Sequence, residues 1–158
     1  MKIINKFRWL FCLMAILSLS SCSWEDLPAY DEANIEQIQF YCRYVSPTDK
    51  DPITGEAMIR NVQLSVNNVS INTDAGTVSL NVSATNQKAS IPESVYSAMA
   101  LNNLVCSVTL STAARIEKTD NHKALGLPDD WTSPHAFVVT AANGNKKTWT
   151  ITVNELQK

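Results

Sequence analysis

Phe137-Val138-Val139-Thr140-Ala141-Ala142-Asn143-Gly144-Asn145-Lys146-Lys147-Thr148-Trp149-Thr150-Ile151-Thr152-Val153 reads as two strands around a glycine turn. Phe137, Val139 and Ala141 share one face of the incoming strand; Trp149, Ile151 and Val153 share one face of the outgoing strand, with Thr148, Thr150 and Thr152 opposite. Strand side chains alternate between faces, so both apolar sets must meet one core. A two-residue Asn143-Gly144 turn sets Val138 opposite Trp149 and throws Phe137 and Val139 outward. A three-residue loop, Ala142-Asn143-Gly144, sets Phe137 opposite Trp149 and hands the left-handed position to Gly144. Each large side chain buried contributes about 1.5–3 kcal/mol, more than turn-type preferences do, so the three-residue loop is expected.

The same period of two recurs upstream. Ile38, Phe40, Cys42 and Tyr44 alternate with Gln37, Gln39 and Arg43, which predicts a strand over Glu36–Val45 with one wet face. Val62, Leu64 and Val66 repeat the pattern, and Val69 and Ile71 continue it after a parity slip at Asn67-Asn68, where a bulge is expected. Asp74-Ala75-Gly76 turns the chain into a strand carrying Val78, Leu80 and Val82, closing a hairpin. Ser90-Ile91-Pro92-Glu93 predicts a short helix capped by Ser90, with Glu93 reaching back and Val95, Ala98 and Met99 covering the core, ending near Leu101-Asn102-Asn103. Leu104, Cys106, Val108 and Leu110 resume strand alternation, and Ala113–Glu117 is a weaker strand around Ile116. Between Lys118 and Pro134 turn-forming residues dominate, and a loop of that length often carries function. The fold class expected is all-β: an antiparallel β-sandwich with one short helix.

At the other end, Lys2, Lys6 and Arg8 precede an apolar run of 11 residues, Trp9–Leu19, and then Leu19-Ser20-Ser21-Cys22. The run falls short of the roughly 18 residues that read as a spanning helix. It predicts a cleaved lipoprotein signal over residues 1–21, with Cys22 lipidated and the membrane reached through acyl chains. The competing readings are an ordinary secretory signal cut near Ser21 and an uncleaved signal anchor. Residues 22–34, with four acids, Pro28 and Trp24, read as a tether, and residues 35–158 as one domain. Removing residues 1–21 takes three of the 13 basic residues and none of the 15 acids, leaving a net charge of −5 that disfavours nucleic acid. Cys42 and Cys106 are left on apolar strand faces, either bridged as a disulfide or simply buried thiols.

The closing hairpin quoted above resembles that of immunoglobulin-like domains in Bacteroidota surface lipoproteins, often found beside glycan-utilisation machinery. Ile38-Gln39-Phe40, Asn103-Leu104, Ala114-Arg115-Ile116 and Trp131-Thr132-Ser133-Pro134 fit the earlier strands in order. The acidic stretch behind Cys22 is similar to the surface-export signal of such lipoproteins, though Trp24 interrupts it. The resemblance implies an immunoglobulin-like domain on an outer-membrane lipoprotein facing the cell exterior, with glycan or other envelope proteins as partners. Many relatives continue into a further domain, whereas this sequence ends five residues past Val153.

Candidate sites are few. Trp131, between Asp129-Asp130 and Thr132-Ser133-Pro134, is either an exposed ring for stacking on sugar, with Asp129 and Asp130 accepting hydroxyl hydrogens, or a plug in the end of the sandwich. Asp129 and Asp130 are adjacent and so ill placed to act from opposite sides of a glycosidic bond. Asp49, Asp51, Gly55 and Glu56 miss the spacing of a calcium loop. His122 and His135 serve no nucleophile and read as surface or turn residues. No catalytic residue, metal or cofactor is expected, and the chain reads as a non-enzymatic binding module or, alternatively, as an envelope assembly component that contacts other proteins through an edge strand.

Overall fold

In the computed structural model the described residues are 29–119 and 121–158. Cys22, Trp24 and the expected signal and lipidation site lie outside them. Among the described residues eight strands run β1 (Ile35–Lys50), β2 (Ala57–Asn72), β3 (Thr77–Ser83), β4 (Leu104–Leu110), β5 (Arg115–Lys118), β6 (Pro128–Asp129), β7 (His135–Thr140) and β8 (Lys146–Gln157), with one short α-helix, α1 (Glu93–Ala98). They hydrogen-bond in the order β5-β7-β8-β3-β2-β1-β4-β6. β2 serves both halves of this ladder: Ile59–Leu64 pair with β1, and Ser65–Asn72 pair with β3. The ladder therefore folds over at β2 into two layers around a shared core, and the protein is all-β.

The closing hairpin takes the register its core demands. Phe137 lies opposite Trp149, and His135 to Thr140 pair with Ile151 to Lys146. Ala141 N–H donates to the Asn145 carbonyl across the loop, and Gly144 takes a φ of 91°. Phe137, Val139, Ala141, Trp149, Ile151 and Val153 are all buried. Trp149 also satisfies its indole N–H, which donates to the Ala33 carbonyl at 2.9 Å.

The β2–β3 hairpin closes as expected, Asn72 opposite Thr77, and the register slips between Asn67 and Ser70. Asn68 there adopts a φ of 51°, and the extra residue turns Val69 outward, 43% exposed, rather than into the core as its parity suggested.

One pairing departs from an antiparallel sandwich. β3 and β8 run parallel, from Thr77 beside Thr150 to Ser83 beside Gln157. Parallel neighbours need a long crossover, and the chain between Ala84 and Asn145 provides it.

Three other expectations shift. β1 extends to Lys50 rather than ending at Val45. Residues 30–34, expected within the tether, are docked: the Tyr30 carbonyl accepts from Asn143 N–H, and Asn34 N–H donates to Ser111 Oγ. Helix α1 starts later than Ser90, with Pro92 at its N-cap and no side-chain cap; Glu93 accepts from Ser97 Oγ at 3.1 Å instead of reaching back. Tyr96 and Met99 are buried against the core, Val95 is half-buried and Ala98 exposed.

Candidate functional site

Trp131 is the plug. It is 2% exposed, meets Phe40 edge-on at 5.0 Å between centroids, and stacks on His135 at 4.3 Å. Its indole N–H donates to the Leu104 carbonyl at 3.1 Å, and its backbone N–H to the Leu101 carbonyl at 2.9 Å. The exposed stacking platform considered for this residue is thus corrected. A flat apolar ring beside Phe40 gains more from closing the core than from water, once its N–H has a partner.

The Asp129 and Asp130 carboxylates are both engaged by neighbouring groups of the chain. Asp130 Oδ1 accepts from the Thr132 hydroxyl at 2.7 Å and from its backbone N–H at 3.0 Å, and these bonds hold the Asp130 carboxyl below the ordinary aspartate value. A glycosidic acid needs the opposite shift. Asp129 lies on β6, a two-residue strand in the loop over 118–134 that sequence periodicity missed, pairing with Leu104 and Val105. Its Oδ1 accepts from Asp130 N–H at 2.9 Å and its Oδ2 from Lys123 N–H at 2.7 Å.

The loop brings together two histidines that sequence separates by 13 positions. The rings of His122 and His135 stack at 4.3 Å with 20° between their planes, and Phe137 meets His122 at 4.7 Å. The surface reading of His135 is overturned: it opens β7 on the core-facing side and is 4% exposed. Its Nε2 lies 2.6 Å from the Asp130 carbonyl, which can only accept, so Nε2 carries the ring proton. Among the described residues, His135 Nδ1 is then a bare lone pair, buried and without a hydrogen-bond partner. Burial favours the neutral ring and pulls the His135 pKa below its ordinary value, against the pull of the Asp130 carbonyl and the nearby carboxylates. Both His122 Nδ1 and His135 Nδ1 lie 3.8 Å from Asp129 Oδ2. His122 also sets Nδ1 2.8 Å from the Lys123 carbonyl and Nε2 3.1 Å from the Ala136 carbonyl. The sequence signal for this cluster was weak, because its members come from different strands and a loop.

Cys42 and Cys106 are buried free thiols, and the disulfide is corrected. They sit on adjacent strands, with Cys106 opposite Phe40 rather than Cys42. Such diagonal neighbours stand roughly 7–8 Å apart, beyond the approach that a disulfide requires. Burial raises the pKa of both.

The acids at the β1–β2 turn are spent on the chain itself. Asp51 Oδ1 accepts from Ile53 and Thr54 N–H at 2.8 Å each, and Asp49 Oδ2 takes Arg60 at 2.9 Å.

A second feature is a shallow hollow of about 220 Å³ on the outer face of β1, lined by Tyr41, Arg43, Asn61, Val105, Ser107 and Gly126. Arg43 is fixed there by bonds to Asn61 Oδ1 at 2.7 Å and the Gly126 carbonyl at 2.9 Å, and the Tyr41 hydroxyl donates to Gln39 Oε1. Alternation had marked this as the wet face of β1 without singling out Tyr41.

A structure of a candidate secreted protein from Bacteroides fragilis is similar to the chain, with 36% identity and a TM-score of 0.69, over 83% of this chain and all of that one. No curated protein matches. The family described as DUF5018-related matches residues 35–152. That match runs from the start of β1 into β8, over most of the sequence: the chain belongs to the DUF5018-related family.

Proposed function

We propose that the chain is an acyl-anchored lipoprotein of the outer membrane, facing the cell exterior, whose immunoglobulin-like domain acts as a non-catalytic binding module in glycan capture. The hollow at Tyr41 carries the glycan reading. It offers a half-buried aromatic ring beside a fixed guanidinium, the Asn61 amide and the Ser107 hydroxyl, the mixture of flat apolar surface and directional polar groups that binds a sugar ring. The anchor rests on Leu19-Ser20-Ser21-Cys22 after an apolar run, and a secreted assignment of the Bacteroides relative supports an envelope or extracellular location. The Asp129 and Asp130 carboxylates, engaged by backbone and threonine groups, support a non-enzymatic role.

The anchor is tested by Cys22→Ala, which should release the protein from the membrane fraction and abolish labelling by a clickable fatty acid; labelling that persists refutes it. The glycan reading is tested by applying the detergent-solubilised chain to a glycan array. Binding should appear for the native chain and fall at least about tenfold in Tyr41→Ala, with unchanged melting temperature. An array without signal, or one indifferent to Tyr41, sinks that reading.

A second reading, assembly with another envelope protein, is favoured by the β1–β2 hairpin. Beyond Tyr41, β1 has no partner but β2 among the described residues, and the opposed pair Val45 and Ile59 are 61% and 65% exposed. Unpaired strand edges flanked by apolar side chains suit the addition of a partner strand.

A further inference from the structure

We infer that His122, Asp129 and His135 form a binding site for a first-row transition-metal dication of the zinc class, which ties the two layers of the sandwich together. The three side chains place one candidate ligand atom each within 4.8 Å of one another. Independent support comes from His135 Nδ1, a lone pair with no partner among the described residues, on a side chain 5% exposed and 3.8 Å from Asp129 Oδ2. A buried polar atom without a partner is disfavoured, and something should occupy the space it faces.

The spacing says what. A gap of 3.8 Å is too long for a direct hydrogen bond. A bridging water, with two bonds of about 2.8 Å, would have to subtend a cramped angle of about 85° there. A metal with bonds of about 2.1 Å spans the same gap at an open angle, and a contraction of a few tenths of an ångström gives a tetrahedral edge of about 3.4 Å.

The outer contacts fit as well. Metal-bound histidines characteristically donate their second ring N–H to a carbonyl, which fixes the tautomer. His135 Nε2 does this to Asp130 at 2.6 Å, and His122 Nε2 faces the Ala136 carbonyl at 3.1 Å. Two imidazoles and one carboxylate select zinc and its neighbours over magnesium or calcium. To join them, His122 Nδ1 gives up the Lys123 carbonyl for the ion, and the ring proton sits on Nε2, toward the Ala136 carbonyl. Asp129 belongs to β6, at the β4 edge of the ladder, and His135 to β7, near the β5 edge. A cation held by both therefore joins the two ends of one folded-over sheet, in a protein whose two buried cysteines form no bridge.

The test uses the full chain in detergent, purified without a histidine tag and stripped with chelator. Zinc titrated by calorimetry at neutral pH should bind at one equivalent and raise the melting temperature, while magnesium and calcium should not. Cobalt should give the visible absorption of a four-coordinate ion. Asp129→Asn and His122→Gln should each weaken zinc binding at least about tenfold while keeping the metal-free circular dichroism spectrum. His135→Gln should do the same if it folds, and the other two variants decide the matter if it does not. Absence of zinc binding to the native chain overturns the inference, as does zinc binding that survives both Asp129→Asn and His122→Gln.

Discussion

Trp131→Ala is expected to lower the unfolding free energy by about 3–5 kcal/mol, the range for emptying a buried aromatic site. The ring fills space between Phe40 at 5.0 Å and His135 at 4.3 Å, so its removal strips contacts from both layers at once. It also leaves the Leu104 carbonyl without its indole donor, whereas Trp131→Phe retains most of the packing and loses chiefly that bond. Chemical denaturation should therefore rank the native chain, Trp131→Phe and Trp131→Ala in falling stability. A loss under about 1 kcal/mol for alanine would contradict the plug and restore a surface role for the ring.

Gly76→Ala is expected to be nearly as damaging, by roughly 2–4 kcal/mol, although it adds only a methyl group. Gly76 has a φ of 63°, and a Cβ there would stand 2.2 Å from the Thr148 carbonyl oxygen. That oxygen is backbone in β8 and cannot rotate aside. The Gly76 carbonyl meanwhile accepts from Thr150 N–H at 2.8 Å, so relieving the clash pulls on the start of the parallel β3–β8 ladder. Gly55→Ala is the control: its φ is 73°, but nothing lies within 4 Å of the added carbon, and only the backbone strain of about 1–2 kcal/mol applies. Melting curves of the two variants should separate clearly, and equal losses would show that crowding against β8 is not the cause.

What the sequence disclosed is what short-range alternation can disclose. The closing hairpin register was legible because a three-residue loop buries both Phe137 and Trp149 where a two-residue turn does not, and the bulge at Asn67-Asn68 because parity fails there. The parallel contact of β3 with β8 left no local trace, since its partners lie more than 70 positions apart and the threonines of β8 read the same beside any neighbour. β6 was too short to alternate. Trp131 and its acids were found as a group, but their roles were set by the Leu104 carbonyl and the Thr132 hydroxyl, which no spacing announces. His135 was passed over as a turn residue because its ring is polar. It alternates with Phe137 and Val139, a parity that placed it on the core side from the outset. Tyr41 escaped notice for the converse reason, being an aromatic on a face read as merely solvated.

β2 gives its first half to β1 and its second half to β3. One length of backbone is thus common property of both layers, and opening one strains the other. Disorder along Ile59–Asn72 would be felt on both sides, which favours unfolding as one unit over the separate melting of two sheets.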